Sequence, residues 1–416
     1  MRIKSLTKPK FRTYTFSLDK KGDLSAHNFN LIMTDGEIRS GAMVKKIDIP
    51  YPESLSIKKI FHVGERYFLQ TKTNELYMLN GQVWENIAQV GDNLYITECS
   101  VGGSSLIAIG FDDGGFFIDQ TGSILQADLP NGDCSVFYAG MLFVAKGNLL
   151  NFSKLLCVED FSLGLNNGGF VKTEVNDGNI LALVPMENCL VVFCEKGVYE
   201  LTAVGERTDY KLIRQNVSIS AEQGSVGYLG DKIFFINNGK LCYFKSGVVN
   251  SVDCDVFEDF YFDGQSTVSG GVYIAKIKGI SNRVKKLLYF DTNGFESSII
   301  DLNVSQTASE GILLSGTQFF GVSEKHNLNN DFFWESKLLD LGFSEKKDLL
   351  YFGAYSDGEV KVSITGDTIK KTFELKKGYN ERLLNIPSYG FTLSFFASGN
   401  FFKVKDIKIK YRIRGE

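Results

Sequence analysis

Ile233-Phe234-Phe235-Ile236-Asn237-Asn238-Gly239-Lys240-Leu241-Cys242-Tyr243-Phe244 is two short aromatic-rich runs on either side of an Asn-Gly pair. β-branched and aromatic residues favour a pleated, half-buried surface. Asn-Gly tolerates positive φ at both central positions, which a two-residue hairpin turn requires. The stretch therefore reads as a β-hairpin. The same unit recurs at Tyr67-Phe68-Leu69 with Leu76-Tyr77-Met78-Leu79. It recurs again at Leu190-Val191-Val192-Phe193 with Val198-Tyr199-Glu200-Leu201.

Turn pairs fall at Thr73-Asn74, Asp113-Gly114, Lys146-Gly147, Lys196-Gly197, Asn238-Gly239 and Asn293-Gly294, about 30 to 55 residues apart. A four-stranded propeller blade occupies roughly 40–50 residues. A pair of sandwiches or a solenoid is the rival reading, but each unit has the size of a sheet rather than of one rung. Trp-Asp blade endings are absent, and the chain holds only 2 Trp, Trp84 and Trp334. The fold expected is all-β: an irregular β-propeller of about five to seven blades followed by a C-terminal antiparallel β-sandwich.

Composition agrees. The chain has 416 residues, 42 Gly, 34 Phe and only 6 Pro. Gly suits many turns, and scarce Pro spares the strand ladders. Residues 1–55 read as an N-terminal arm with the first strands, 56–326 as the propeller, and 331–416 as the sandwich. The boundary falls at the polar stretch Asn327-Leu328-Asn329-Asn330. Beyond it, runs such as Val360-Lys361-Val362-Ser363-Ile364 and Lys403 to Arg414 alternate with period two, so one face is buried and the other wet. Two places look locally helical, Asp255 to Phe262 with Asp255 as cap, and Asn151-Phe152-Ser153-Lys154 with Cys157 to Leu163 after it, a loop with one irregular turn.

No apolar run approaches the roughly 18–20 residues that span a bilayer, and the start lacks the apolar core of a signal peptide. Stable membrane insertion is not expected. The Cys count is 7, an odd number, and most lie in apolar strand-like runs. Buried thiols in a reducing cytoplasm fit this better than a disulfide framework.

No catalytic, cofactor or metal residues are assigned. His27, His62 and His326 are far apart, and no spacing suggests the converging ligands of a zinc site. Cys189 and Cys194 do not form a C-x-x-C pair. Asp112-Asp113-Gly114 and Asp357-Gly358 read as turns, since a calcium loop needs more oxygen ligands. Asp253, Asp255, Glu258, Asp259 and Asp263 could supply two glycosidase carboxylates, yet they read equally as a solvated face. Gly102-Gly103-Ser104-Ser105 lacks the lysine and helix of a phosphate loop. Basic residues gather at Arg2, Lys4, Lys8, Lys10 and Arg12, and at Lys403, Lys405, Lys408, Lys410, Arg412 and Arg414. The second group is either the wet face of a strand or a positive surface for phosphate or an acidic partner. Net charge is −4, which selects no polyanion and excludes none.

Between 151 and 250 the order of features resembles a known family. Gly168-Gly169-Phe170-Val171 leads to Asp177-Gly178-Asn179-Ile180-Leu181-Ala182-Leu183 and Lys196-Gly197-Val198-Tyr199-Glu200-Leu201. Gly224-Ser225-Val226-Gly227 and Gly230 to Gly239 follow, and Trp334 to Gly342, a Lys346-Lys347 turn and the final Ile-Lys-Tyr-Arg-Ile-Arg-Gly close the chain. The pattern is similar to the tail nozzle, or packaged-DNA stabilisation, proteins of short-tailed bacteriophages. That resemblance implies a non-catalytic virion tail protein, made in the host bacterial cytoplasm. It implies a homo-oligomeric ring of about six copies below the portal and adaptor, near tail fibre or needle proteins, with genomic DNA passing through the channel. A host-receptor or carbohydrate-binding propeller and a propeller hydrolase are the rivals.

Overall fold

The computed structural model describes residues 11–16, 25–34, 37–40, 44–164, 167–202, 210–252, 254, 256–293, 295–322, 331–398 and 402–414. The chain divides into two compact units, Lys46–Ile280 with Val304–Gly321, and Met1–Lys45 with Ser281–Asn303 and Val322–Glu416.

Hairpin chemistry builds most of the first unit. Asn238 and Gly239 have φ of 49° and 69° and join Lys232–Asn237 to Lys240–Lys245. Such hairpins pair into seven four-stranded sheets among the described residues. Their innermost strands are Ile57–Val63, Leu94–Val101, Cys134–Tyr138, Ile180–Pro185, Gly227–Leu229, Phe260–Ser269 and Val304–Ala308. Neighbouring sheets pack face to face through apolar layers. Phe68 and Leu76 meet Leu94 and Phe116, and Phe143 and Phe152 meet Leu190 and Tyr199. Val191 and Phe193 meet Ile233 and Phe244. The last innermost strand touches the first, and Ile312 and Phe319 pack on Ile60 and Leu69. The ring is closed, so the seven sheets form a seven-bladed β-propeller.

The seventh sheet is completed by Val44–Lys46, which lies outside Gln318–Val322. Closure therefore joins an early strand to a late one. Side-chain hydroxyls tie blades together where apolar packing stops. Thr267 donates to the Ala308 carbonyl at 2.6 Å, and Tyr273 to the Ser225 carbonyl at 2.7 Å. Thr97 and Ser135 bond directly between the second and third innermost strands.

The second unit holds a sandwich. One sheet runs Leu31–Thr34, Glu37–Ser40, Lys403–Ile413, Lys347–Ser356, Gly378–Ser388, with Arg12–Thr15 also on Lys403–Ile413. The other runs Ser25–Phe29, Asp331–Ser336, Thr392–Ser398, Val360–Thr365, Lys370–Leu375. Trp334, Phe352, Phe395, Val362 and Ile409 fill the space between the two inner faces. Strands of residues 12–40 thus pair with C-terminal strands.

Three sequence expectations need correction. The Asp255–Phe262 helix is one turn, Val256–Asp259, and Phe260 already begins a strand. Lys346-Lys347 is not a turn pair, since Lys347 opens a strand and is fully buried. Of the cysteines, only Cys99, Cys194 and Cys242 are buried, while Cys134, Cys157, Cys189 and Cys254 are half-buried. The boundary at 327–330, Gly294, Asp253, Asp255 and the basic residues of 2–10 lie outside the described residues.

Candidate functional site

Two of the acidic groups singled out in the sequence, Asp112 and Asp263, make bonds within the fold. Asp112 accepts from Asn93 Nδ2 at 2.7 Å and Asn131 Nδ2 at 3.0 Å, which brackets the second blade. Those bonds hold its carboxyl below the usual range. Asp263 lies 4.0 Å from Lys276, whose ammonium also donates to Gln265 and the Ser305 carbonyl. Glu258 faces a shallow cavity beside Lys240, Ser251 and Phe257. His62 stacks on Tyr67 with ring centroids 4.5 Å apart and sits 3.1 Å from Glu310. His326 and the side chain of His27 lie outside the described residues. Among the described residues no three His, Cys, Asp or Glu gather as a metal group. Burial pushes the Cys99 and Cys134 thiols up to about 12 and Cys194 to about 11.

Asp177 was read only as part of a motif, and its role is structural. It is buried, between the third and fourth blades, where Gly197 leaves room for its carboxylate. Arg214 donates from Nε at 2.6 Å and from a terminal nitrogen at 2.9 Å, and Tyr199 donates its hydroxyl at 2.6 Å. The Arg214 bond chiefly holds the carboxyl below its ordinary range, against the opposing effect of burial. The buried Tyr199 hydroxyl is pushed up to about 12. Removing Asp177 strands two donors, but the Arg214 side chain is 36% exposed and water takes part of the loss. Asp177→Ala is expected to cost about 2 kcal/mol in urea unfolding at pH 7. A depressed carboxylate stabilises above its unfolded pKa, and that contribution disappears as pH falls through the folded value. The gap between variant and wild type should therefore shrink below about pH 4; a pH-independent gap would contradict the ion pair.

Lys59 was not foreseen. It lies on the innermost strand of the first blade, exposed to solvent, with its ammonium 4.8 Å from the Phe61 ring. Surrounding protein nonetheless lowers its pKa, and Cys134 of the third blade is the next largest influence.

The basic C-terminal strand forms a surface. Val404, Ile407, Ile409, Tyr411 and Ile413 enter the sandwich core, and the cationic residues take the opposite face. Asp406, with φ of 54°, absorbs the one-residue step between Lys405 and Lys408. Cross-strand register places Lys410 beside Tyr351, Lys408 beside Gly353, and Lys405 beside Tyr355. The Lys410 and Lys405 ammonium groups lie 5.8 and 5.3 Å from those tyrosine rings. Tyr379 crosses Gly353 so closely that an added Cβ would meet its hydroxyl at 2.6 Å. Tyr351, Tyr355, Tyr379 and Leu383 are 41%, 36%, 63% and 53% exposed, unusual for a sheet's wet face. Part of the charge is neutralised, by Glu37 on Lys403 at 2.7 Å and Asp348 on Arg412 and Arg414 at 2.8 and 2.7 Å. Lys405 and Lys408 form no ion pair among the described residues. What the face offers is charge, donors and flat aromatic area.

No family model matches the sequence, and no curated protein does. Among solved structures the chain is similar to PorZ, a bacterial surface component of the type-IX secretion system of Porphyromonas gingivalis. The identity is 9% and the TM-score 0.44, over 79% of this chain and 46% of PorZ. The chain thus spans less than half the length of PorZ. It is also similar to the WD40 domain of Neurospora crassa Pan2, at 9% identity and TM-score 0.42 over 66% of this chain and 90% of that one. A third is the β-propeller domain of Myceliophteria thermophila Cps50, at 10% identity and TM-score 0.44 over 67% and 99%.

Proposed function

We propose that this protein is a structural subunit of a bacteriophage tail, a nozzle that joins copies of itself into a ring around the path of the ejected DNA. The sequence resemblance suggests this role. The single observation that carries it is the lysine–tyrosine face of the sandwich. A broad, open face with cations over aromatic rings suits a macromolecular surface rather than turnover of a small substrate. Sheet-built rigidity and the tie between early and late strands suit a part that must resist force without changing shape. Enzymatic activity has no place in this reading.

Native mass spectrometry of the purified protein, alone and with portal and adaptor proteins, tests it. A closed ring of about six copies, formed alone or on the adaptor, is expected. The double variant Lys408→Glu/Lys410→Glu should weaken that assembly about tenfold at low salt, with the deficit shrinking as salt rises. A protein that stays monomeric with every partner, or a variant that assembles like wild type, overturns the proposal.

A further inference from the structure

We infer that the outer face of the second sandwich sheet is a binding site for a neutral oligosaccharide. Four hydrophilic side chains line up there in one cross-strand row: Glu335, Ser394, Ser363 and Thr372. The row crosses four strands, roughly 14 Å at a strand spacing of about 4.8 Å. The adjacent row is Phe333, Phe396 and Lys361, from the same strands. Small hydroxyl residues thus form a shelf beneath a ridge that is aromatic at its centre. With Lys370 at the far end they bound a cleft of about 500 Å³.

The chemistry of the shelf selects the ligand. Ser394 donates to Glu335 at 3.0 Å, and Ser363 and Thr372 share a bond of 2.9 Å. Each hydroxyl and the carboxylate keeps further acceptor capacity and one of Ser363 and Thr372 keeps a free donor, so the row presents acceptors and one donor already held in position. Phe396, 41% exposed, offers a ring on which the apolar face of a sugar packs. The charges balance. Lys361 and Lys370 are matched by Glu335 in the cleft and by Glu374 opposite Lys361. With Glu374 beside Lys361 the surroundings of the cleft are balanced, which gives a polyanion little preference. The Val360–Thr365 and Thr392–Ser398 strands at its centre are paired on both edges, so no backbone is free to receive a peptide as an added strand. What fits is an uncharged, hydroxyl-rich, extended molecule longer than one sugar. The site is independent of the nozzle reading, since it lies on the sheet opposite the lysine–tyrosine face.

The test uses the full chain on an array of maltohexaose, cellohexaose, mannohexaose and chitohexaose, with sialyllactose and a heparin hexasaccharide as acidic counterparts. Titration calorimetry then follows with the retained neutral sugar. Saturable binding to at least one neutral hexasaccharide is expected. Phe396→Ala should weaken it about tenfold, as should Ser363→Val, with unchanged thermal melting. Phe396→Tyr should keep it. Retention of none of the neutral sugars, retention of acidic sugars only, or equal binding by Phe396→Ala overturns the inference. Ring assembly is measured separately, so failure here leaves the nozzle test standing.

Discussion

Trp334→Ala is expected to cost about 3–5 kcal/mol and to act on the sandwich alone. Trp334 is fully buried on the Asp331–Ser336 strand, with its ring centroid 5.6 Å from that of Phe395. Phe332 and Trp334 leave the same strand toward one core, which also holds Phe352, Phe391 and Ile409. Truncation removes the largest side chain from a layer built of strands from both ends of the chain. Those strands cannot move together to fill the gap without breaking their register, so the cavity stays and its cost adds to the lost burial. Hydrogen exchange followed by mass spectrometry locates the effect. Protection should fall across residues 331–398 and 402–413 and stay near wild type in Leu94–Val101 and Ser104–Phe111. Uniform loss across both regions, or none, would contradict the assignment of Trp334 to a separate core.

Lys347→Met should cost about 3 kcal/mol, although the two side chains are similar in length. Lys347 is fully buried. Its ammonium donates to the carbonyls of Phe343 at 2.5 Å, Glu345 at 2.8 Å and Tyr389 at 2.8 Å. Burial pushes its pKa down, while Asp340, Glu345 and Asp367 pull it back up. Methionine fills the space and leaves the three carbonyls without their shared donor. Each such group costs about 1–3 kcal/mol, and partial relaxation of the loop offsets some of the total. Urea unfolding monitored by tryptophan fluorescence measures the change. Stability within about 0.5 kcal/mol of wild type would show that the carbonyls find other partners.

Hairpins were the most legible part of this protein. The pairs at 67–79, 190–201 and 233–244 are all strands paired as read, because their signals are local. The alternation of Lys403 to Arg414 likewise placed its apolar residues in a core and its cations outside. Residues whose role depends on distant partners escaped notice. Asp177 stood out only as part of the family-like motif until Arg214 and Tyr199 met it. Lys347 looked like turn charge, since nothing nearby announces the Tyr389 carbonyl that it reaches. The hydroxyl row passed unseen because Glu335, Ser363, Thr372 and Ser394 are ordinary wet-face residues, each on its own strand.

The order of residues alone determined that the chain is pleated, where most hairpins turn, and which side of each amphipathic strand is apolar. These follow from side-chain alternation and positive-φ turns, which act over a few neighbouring residues. Folding in three dimensions decided that Val44–Lys46 closes the seventh blade. It also decided that the opening strands enter the sandwich beside Lys403–Ile413, and which wet-face side chains share a row. The reason is that strand pairing uses backbone N–H and C=O groups that nearly every residue carries. Partner choice therefore depends on packing across the whole chain.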